Sequence, residues 1–158
     1  MKKAFVFDFD DTLVKTDCRI GVKNENGVWL FGLTPQQFNS YKLRNGEKFD
    51  FSDFEYVINP VGLETLELAK QVSNEQHDVY ILTARSSVAE NPIAEFVKSQ
   101  GLKVKEIYCV GDNGDDIAKE KRTILMTIIE AYDKVYFYDD HHDNVEQAKT
   151  VGVKAYKV

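Results

Sequence analysis

Residues 5–13 read FVFDFDDTL, an apolar run that becomes acidic at its end. Similar short runs, rich in β-branched and aromatic residues, occur at 79–82, 107–110, 135–138 and 153–158. Runs of this length and composition are typical of parallel strands that are buried on both faces. The first run therefore predicts a strand that delivers several carboxylates to one edge of a sheet.

Longer segments with helical periodicity separate these runs. They cover residues 60–75, 91–101, 117–131 and 144–151. In the first of them, Leu63, Leu66 and Ala69 are spaced so that they form one apolar stripe. The alternation of strands and helices predicts an α/β fold, a Rossmann-like parallel sheet with helices on both faces. Ligands of such sheets bind at the carboxyl ends of the strands.

Residues 14–60 interrupt the alternation. Turn residues at 24–27 lie between two apolar segments and predict a β-hairpin. Thr34-Pro35 is typical of the start of a short helix, which we expect to run to Leu43. The sequence thus predicts a single domain over 1–158 that contains a small insertion over 14–60, a hairpin flap plus a short helical segment.

The composition excludes several classes of protein. A chain of 158 residues fits one domain, and its 20 basic and 26 acidic residues give a net charge of −6, which argues against a strongly basic nucleic-acid binder. No apolar stretch approaches the roughly 20 residues of a membrane span. Two cysteines, Cys18 and Cys109, are too few for a disulfide framework. We expect a soluble cytoplasmic protein without a membrane partner, and the oligomeric state stays open.

Acidic residues follow two of the predicted strands. Asp8 and Asp10 point to the same side of the first strand because side chains alternate, and Asp139 and Asp140 follow the fourth run. Carboxylates this close repel each other unless a shared proton or a divalent cation compensates. Oxygen ligands of this kind suit Mg²⁺; a solvated acidic turn is the alternative. The calcium-loop pattern D-x-[DN]-x-[DN]-G fails at Asp8 and again at Asp112.

Other polar residues are expected at the same edge of the sheet. Thr83 and Arg85 follow the run at 79–82, and a guanidinium matches phosphate oxygens in a bidentate fork. Lys119 and Lys121 lie in the predicted helix before the fourth run. Taken singly, a threonine, arginine or lysine of this kind is more often a surface or capping residue. Together with the acids, these residues predict a site for a phosphoryl ligand.

This arrangement resembles the motifs of the haloacid dehalogenase superfamily of phosphohydrolases. Asp8, Asp10 and Thr12 match its first motif, Asp-x-Asp-x-Thr after an apolar strand, and Thr83 matches its second. Dehalogenases of this fold lack the second acid, because a halide leaves without a proton. The presence of Asp10 therefore favours phosphate esters within the superfamily.

The third and fourth motifs of the superfamily are a lone lysine and an acid pair after a strand. Asp139 and Asp140 match the pair. Lys121 is preferred to Lys119 as the lysine, and Leu125 follows it by one helical turn. The segment 111–116 also resembles the acid motif, so Asp112 is kept as a candidate accessory acid. Asp143 lies close behind the acid pair, and whether Asp112 or Asp143 contributes to the site stays open.

The resemblance implies a phosphomonoester hydrolase that acts through an aspartyl-phosphate. Asp8 would be the nucleophile, and Asp10 would give a proton to the leaving alkoxide and later take one from water. Mg²⁺ would be held by Asp8, the Asp10 carbonyl and Asp139, with Asp140 ligating it or orienting a metal-bound water. Lys121, Thr83 and Arg85 would bind the phosphate oxygens.

Two details resemble, more weakly, the phosphatase module of polynucleotide kinase-phosphatases. Arg85 lies two residues after Thr83, and Arg19 lies where that module carries a phosphate-binding arginine. This resemblance implies a nucleotide or a polynucleotide 3′-phosphate end as the substrate. The insertion is also shorter than a full cap domain, which would leave the site open to a large substrate.

Three alternatives remain at this stage. A receiver-like signalling module would accept a phosphoryl group and keep it, and a haloacid dehalogenase-type phosphatase would act on a small metabolite; a degenerate binding scaffold is the third. The insertion is rich in aromatic residues, which we expect to form a small core, with one or two as candidates to stack on a nucleobase.

Overall fold

The computed structural model describes residues 2–158. The strands are β1 (Lys3–Phe7), β2 (Val14–Lys15), β3 (Ile20–Lys23), β4 (Trp29–Leu33), β5 (Lys48–Asp50), β6 (Val61–Gly62), β7 (Asp78–Thr83), β8 (Glu106–Cys109), β9 (Lys134–Asp139) and β10 (Lys154–Lys157). The helices are α1 (Pro35–Ser40), α2 (Glu64–Asn74), α3 (Glu90–Ser99), α4 (Ile117–Ile129) and α5 (His142–Lys149), with 3₁₀ turns at Ser52–Glu55 and Ser87–Ala89.

Five of these strands form one parallel sheet in the order β10-β9-β1-β7-β8. The central strand β1 pairs with β7 on one side and with β9 on the other, so that Phe7 lies opposite both Ile81 and Tyr138. The predicted α/β class, with a parallel sheet between helices, is confirmed. Because β1 and β9 are neighbours, the two acidic strand ends lie next to each other.

The hydrophobic core lies on both faces of this sheet, since neighbouring residues of a buried strand point in opposite directions. Val6 belongs to the cluster that packs against Leu125 of α4 and Val145 of α5. Phe7, the next residue, belongs to the cluster that contains Leu66 of α2 and Ile93 of α3. The sheet is therefore packed on both faces, and its carboxyl-terminal edge carries the polar residues.

Several boundaries differ from the predicted ones. Helix α2 begins at Glu64 rather than at residue 60, because Val61–Gly62 pair with Val14–Lys15 as a two-stranded antiparallel ribbon. Helix α1 ends at Ser40, before the expected Leu43. Its start is as predicted, with the Thr34 hydroxyl accepting a hydrogen bond from the backbone amide of Gln37 in a capping box.

Within residues 14–60, strands β3, β4 and β5 form a second, antiparallel sheet with β3 in the centre. Strands β3 and β4 are the predicted hairpin. Ile20, Val22 and Leu33 form a small buried cluster on one face of this sheet. The organisation of the chain as one domain with this insertion stays a prediction. In the described part, residues 2–158, no helix has both the length and the apolar character needed to cross a membrane.

Candidate active site

The carboxyl ends of β1 and β9 bring three acids together. Asp8 directly follows β1, and its backbone amide donates to the Tyr138 carbonyl at 2.9 Å, which extends the pairing of the two strands by one step. Asp139 is the last residue of β9, and Asp140 follows it. Oxygen atoms of Asp8, Asp139 and Asp140 lie within 4.8 Å of one another. The first two side chains are buried, so their charges are poorly screened by water.

Lys121 neutralises part of this charge. Its ammonium group lies 2.9 Å from Oδ1 of Asp8 and 2.8 Å from Oδ2 of Asp139, and the residue is only 1% exposed. Lys121 and Leu125 lie one turn apart on α4 and both face inward, whereas Lys119 is exposed. Of the two lysines singled out in the sequence, the structure brings Lys121 to the acids.

The charges in this cluster shift each other's proton affinity. Burial raises the pKa of Asp8 well above its usual range; Lys121 opposes this shift, and the nearby Asp139 and Asp140 add to it. Burial alone would lower the pKa of Lys121, but the carboxylates of Asp8 and Asp139 outweigh it and raise that pKa. These directions favour the charged form of Lys121 and the protonated form of Asp8.

Hydrogen bonds hold the acids in place. The Thr12 hydroxyl donates to Oδ2 of Asp8 at 3.0 Å. The Asn144 side-chain amide donates to Oδ2 of Asp139 at 3.0 Å, and the His141 backbone amide donates to Oδ1 at 2.8 Å. Asn144 was not among the predicted site residues. Its position in the first turn of the helix that follows the acid pair is the signal that could have identified it.

Asp10 and Arg85 form a second ionic unit beside the cluster. Nε and Nη2 of Arg85 donate to the two oxygens of Asp10 at 2.8 and 2.7 Å. Nη1 donates to the carbonyls of Phe54 and Tyr56, and Nη2 also contacts Cys18 Sγ at 3.7 Å. All five N–H groups of Arg85 thus have partners in the protein, and three of these partners belong to the insertion. Phosphate binding by Arg85 stays a prediction.

The remaining predicted residues occupy different places. Thr83 ends β7, is buried, and its hydroxyl oxygen accepts a hydrogen bond from the Arg85 amide at 3.2 Å. Arg19 lines a cavity of about 260 Å³, together with Asp10 and residues of the insertion. Asp112 accepts a hydrogen bond from the Ser87 amide at 2.8 Å and so holds the turn after β7. Asp143 is exposed on α5.

The three clustered carboxylates fit a divalent cation. They offer hard oxygen ligands, two of them buried, with a single lysine as the protein's own counter-charge within the cluster. Mg²⁺ binds in this manner, through a few carboxylates. The Asp10 carboxylate is turned away to Arg85, which leaves only the backbone carbonyl of Asp10 as the ligand expected from that residue.

Comparison with known proteins rests on structure, since no protein-family profile and no curated protein matches the sequence. One similar structure is a HAD family enzyme from Bacteroides thetaiotaomicron, solved with magnesium and inorganic phosphate. The alignment covers 99% of the present chain and 94% of that enzyme, at 14% sequence identity. The TM-score is 0.51 for the wild-type enzyme and 0.53 for a mutant. The chain has a haloacid dehalogenase-like fold. The resemblance inferred from the four motifs is confirmed at the level of the fold.

Two further structures with this fold come from an RNA repair complex, Pnkp1/Rnl/Hen1. Chains of these complexes align at a TM-score of 0.61, with 12% and 14% identity. They cover 99% and 100% of the present chain, which spans only 42% and 46% of the larger chains. The haloacid dehalogenase-like fold therefore occurs both as a nearly whole enzyme and as one part of a larger protein.

Proposed function

We propose that this protein is a magnesium-dependent phosphomonoester hydrolase that acts through an aspartyl-phosphate on Asp8. The observation that carries the proposal is the convergence of Asp8, Asp139 and Asp140 within 4.8 Å at adjacent strand ends, with the Lys121 ammonium group in contact with two of them. The haloacid dehalogenase-like fold and the magnesium and phosphate of one structural neighbour support this assignment.

Asp8 would hold the attacking oxygen. Its carboxylate is oriented from two sides, by Lys121 at Oδ1 and by Thr12 at Oδ2. Attack forms the bond between an Asp8 oxygen and phosphorus, and the bond from phosphorus to the ester oxygen breaks. Bound Mg²⁺ would keep the carboxylates ionised and offset the charge of the phosphate. Hydrolysis is thereby divided into two easier displacements.

Asp10 would move the proton in both steps. It protonates the ester oxygen as the alcohol leaves, and it then takes a proton from the water that attacks the aspartyl-phosphate, which releases inorganic phosphate and restores Asp8. Such transfers contribute about 10²- to 10⁴-fold to a rate. This role conflicts with the structure, in which Arg85 holds both carboxylate oxygens of Asp10.

Competition for Arg85 would resolve this conflict. A phosphate dianion accepts the same bidentate fork as a carboxylate, so substrate oxygens would compete with Asp10 for the guanidinium. Asp10, once released, would be free to reach the ester oxygen of the leaving group. Thr83 and Lys121 would bind the remaining phosphate oxygens, and the Thr83 hydroxyl keeps its own proton for donation.

A nucleotide or a polynucleotide 3′-phosphate end is the substrate we favour. Arg19 lines the cavity next to Asp10 and adds a cation where the leaving group would lie. The RNA repair complex among the structural neighbours supports the same choice. A small phosphorylated metabolite would fit the same chemistry, and the two are separated by a panel of esters.

The decisive experiment measures inorganic phosphate released from such a panel, with 3′- and 5′-phosphorylated nucleotides and oligonucleotides, sugar phosphates and acetyl phosphate. We expect Mg²⁺-dependent turnover that excess chelator abolishes and that Asp8→Asn abolishes. Asp115→Asn, at an exposed acid, is the matched control and should retain full activity. Full activity of Asp8→Asn would exclude the mechanism, and a stable phosphoryl-protein without phosphate release would instead indicate a receiver module.

A further inference from the structure

The tryptophan of the insertion sheet lies outside the sheet's small core. Trp29 is the only tryptophan in the chain and begins β4. Its indole ring covers Gly21 of the neighbouring strand, since a Cβ on Gly21 would come within 2.1 Å of Cζ3 of the ring. The residue is nevertheless 42% exposed. One side of the ring thus rests on bare backbone, and solvent reaches the rest.

The other aromatic residues of the insertion are largely used for packing. Gly21 lies between Ile20 and Val22, so the Trp29 ring is on the face opposite to that cluster. The aromatic residues packed against the cluster are Phe31, Phe38, Tyr41, Phe49 and Phe54. Burial in a core accounts for these five residues, and Phe51, although 51% exposed, packs against Phe38 and Phe49. It does not account for Trp29 or for Tyr56, which is 60% exposed.

Trp29 is connected to the cavity of the candidate active site through Arg19. Gly32 pairs with Gly21 across the hairpin. Gly32 has no side chain, and both Arg19 and Trp29 lie close to it. A Cβ atom added to Gly32 would be 2.9 Å from Cβ of Arg19 and 3.5 Å from Cζ2 of Trp29. Arg19 in turn lines the cavity of about 260 Å³ that contains Asp10. Two glycines thus let the indole ring and the aliphatic part of the Arg19 side chain lie side by side, and Arg19 lines the cavity.

The position of Asp10 identifies which part of a substrate would reach this surface. Asp10 is the proposed proton donor to the ester oxygen, so the alcohol that leaves lies on the Asp10 side, where Arg19 and then Trp29 follow. A flat, half-exposed ring beside a cation is suited to a planar ring linked to a phosphate. Trp29, like the exposed Val28 and Leu30, does not itself line the cavity; its ring lies beside the side chain of Arg19, which does.

We propose that Trp29 is a specificity-determining residue that stacks on a nucleobase carried by the leaving group of the substrate. This inference rests on the proposed phosphatase function and narrows its substrate class to base-bearing phosphate esters. Gly21 and Gly32 serve this role by keeping the ring flat against the sheet. Trp29 takes no part in the bond-breaking steps.

The single tryptophan provides a direct binding signal. Asp8→Asn, which should bind substrate without turning it over, is titrated in Mg²⁺ with adenosine 3′-monophosphate, adenosine 5′-monophosphate and ribose 5-phosphate while tryptophan fluorescence is recorded. We expect saturable quenching by at least one adenosine phosphate and not by the base-free ribose 5-phosphate. Equal responses to all three ligands, or no response to either adenosine ester, would overturn the proposal.

Kinetics provide the second arm. Trp29→Ala should lower the ratio of kcat/KM for the preferred adenosine ester to that for ribose 5-phosphate by about 10- to 100-fold, mainly through KM. Trp29→Phe should recover most of the ratio, and Gly21→Ala should lower it by displacing the ring. Tyr156→Ala, at an aromatic residue 46% exposed on β10, is the control and should leave the ratio unchanged.

The outcomes separate this inference from the proposed function. If the unaltered protein hydrolyses ribose 5-phosphate and the adenosine esters, and Trp29→Ala leaves their ratio as it was, the stacking role is refuted and the phosphatase stands. If no ester in the panel is hydrolysed, the proposed function itself fails. A parallel loss on all esters, with circular dichroism unchanged, would make Trp29 structural and would also refute the stacking role.

Discussion

Replacement of Lys121 by methionine tests the electrostatics of the site most sharply. Methionine keeps much of the length and apolar volume of lysine but removes the ammonium group that contacts Asp8 and Asp139 at 2.9 and 2.8 Å. The lysine is 1% exposed, and Asp8 and Asp139 are 6% and 0% exposed, so water cannot take its place without rearrangement. Lys121→Met therefore leaves two buried carboxylates without their shared cation.

The expected cost follows from this burial. Removal of one partner from a buried ion pair typically costs about 3–5 kcal/mol, because the remaining charge stays buried and unpaired. For a chain of this size, each kcal/mol lowers Tm by about 2–4 °C, so Tm should fall by about 6–20 °C. Protonation of Asp8, whose pKa is already raised, would offset part of this cost and place the result in the lower half of that range.

Thermal unfolding followed by circular dichroism, in chelator and in excess Mg²⁺, measures this effect. We expect the Tm of Lys121→Met to be lowered in chelator and partly restored in Mg²⁺, because a bound cation supplies positive charge to the same carboxylates. Lys119→Met, at the exposed lysine two residues earlier, should change Tm little. A Tm for Lys121→Met within about 2 °C of the unaltered protein in chelator would refute the reasoning that this lysine is the neutralising cation.

Three further outcomes follow from the structure. Burial raises the pKa of Asp8 in the folded protein above its usual value of 3.8, so in chelator the free energy of unfolding should decrease as the pH rises above 3.8. Denaturant titrations across pH 4–8 should show a weaker dependence of this free energy on pH for Asp8→Asn. Gly111→Ala should lower both Tm and activity, since its Cβ would lie 2.5 Å from the Ala84 carbonyl oxygen in the loop that carries Arg85. Burial, with Glu90 and Asp112 nearby, raises the pKa of Cys109 to about 11, so a thiol reagent at pH 8 should modify the folded protein slowly and the denatured protein rapidly.

The layered fold was predictable because buried parallel strands produce uninterrupted apolar runs, and β1, β7, β8 and β9 each overlap such a run. The grouping of Asp8 with Asp139 was predictable from the rule that parallel strands end at one edge of the sheet, once both strands were taken as central. The two-residue ribbon at Val61–Gly62 was not predictable. Its strands are too short for any periodicity, and the start of α2 was therefore placed too early.

Contacts between distant segments were likewise beyond the sequence pattern. Arg85 was singled out for its chemistry, but its five partner atoms belong to Asp10, which follows β1, and to residues 18, 54 and 56 of the insertion. The exposure of Trp29 depends on the missing side chain of Gly21 on the adjacent strand. Composition indicated only that most of the insertion's aromatic residues pack together, and it did not show that Trp29, Phe51 and Tyr56 are the exposed ones.

The balance of charge at the site bears on the order of its binding events. Four carboxylates, those of Asp8, Asp10, Asp139 and Asp140, face two cations, Lys121 and Arg85, so fully ionised the site carries two excess negative charges. A phosphate dianion would be repelled by this excess, and Arg85 is already engaged by Asp10. A bound divalent cation would cancel the excess, so under the proposed function we expect the metal to be a condition for substrate binding as well as for chemistry. Chelator should therefore weaken substrate binding to Asp8→Asn as well as abolish turnover by the unaltered protein.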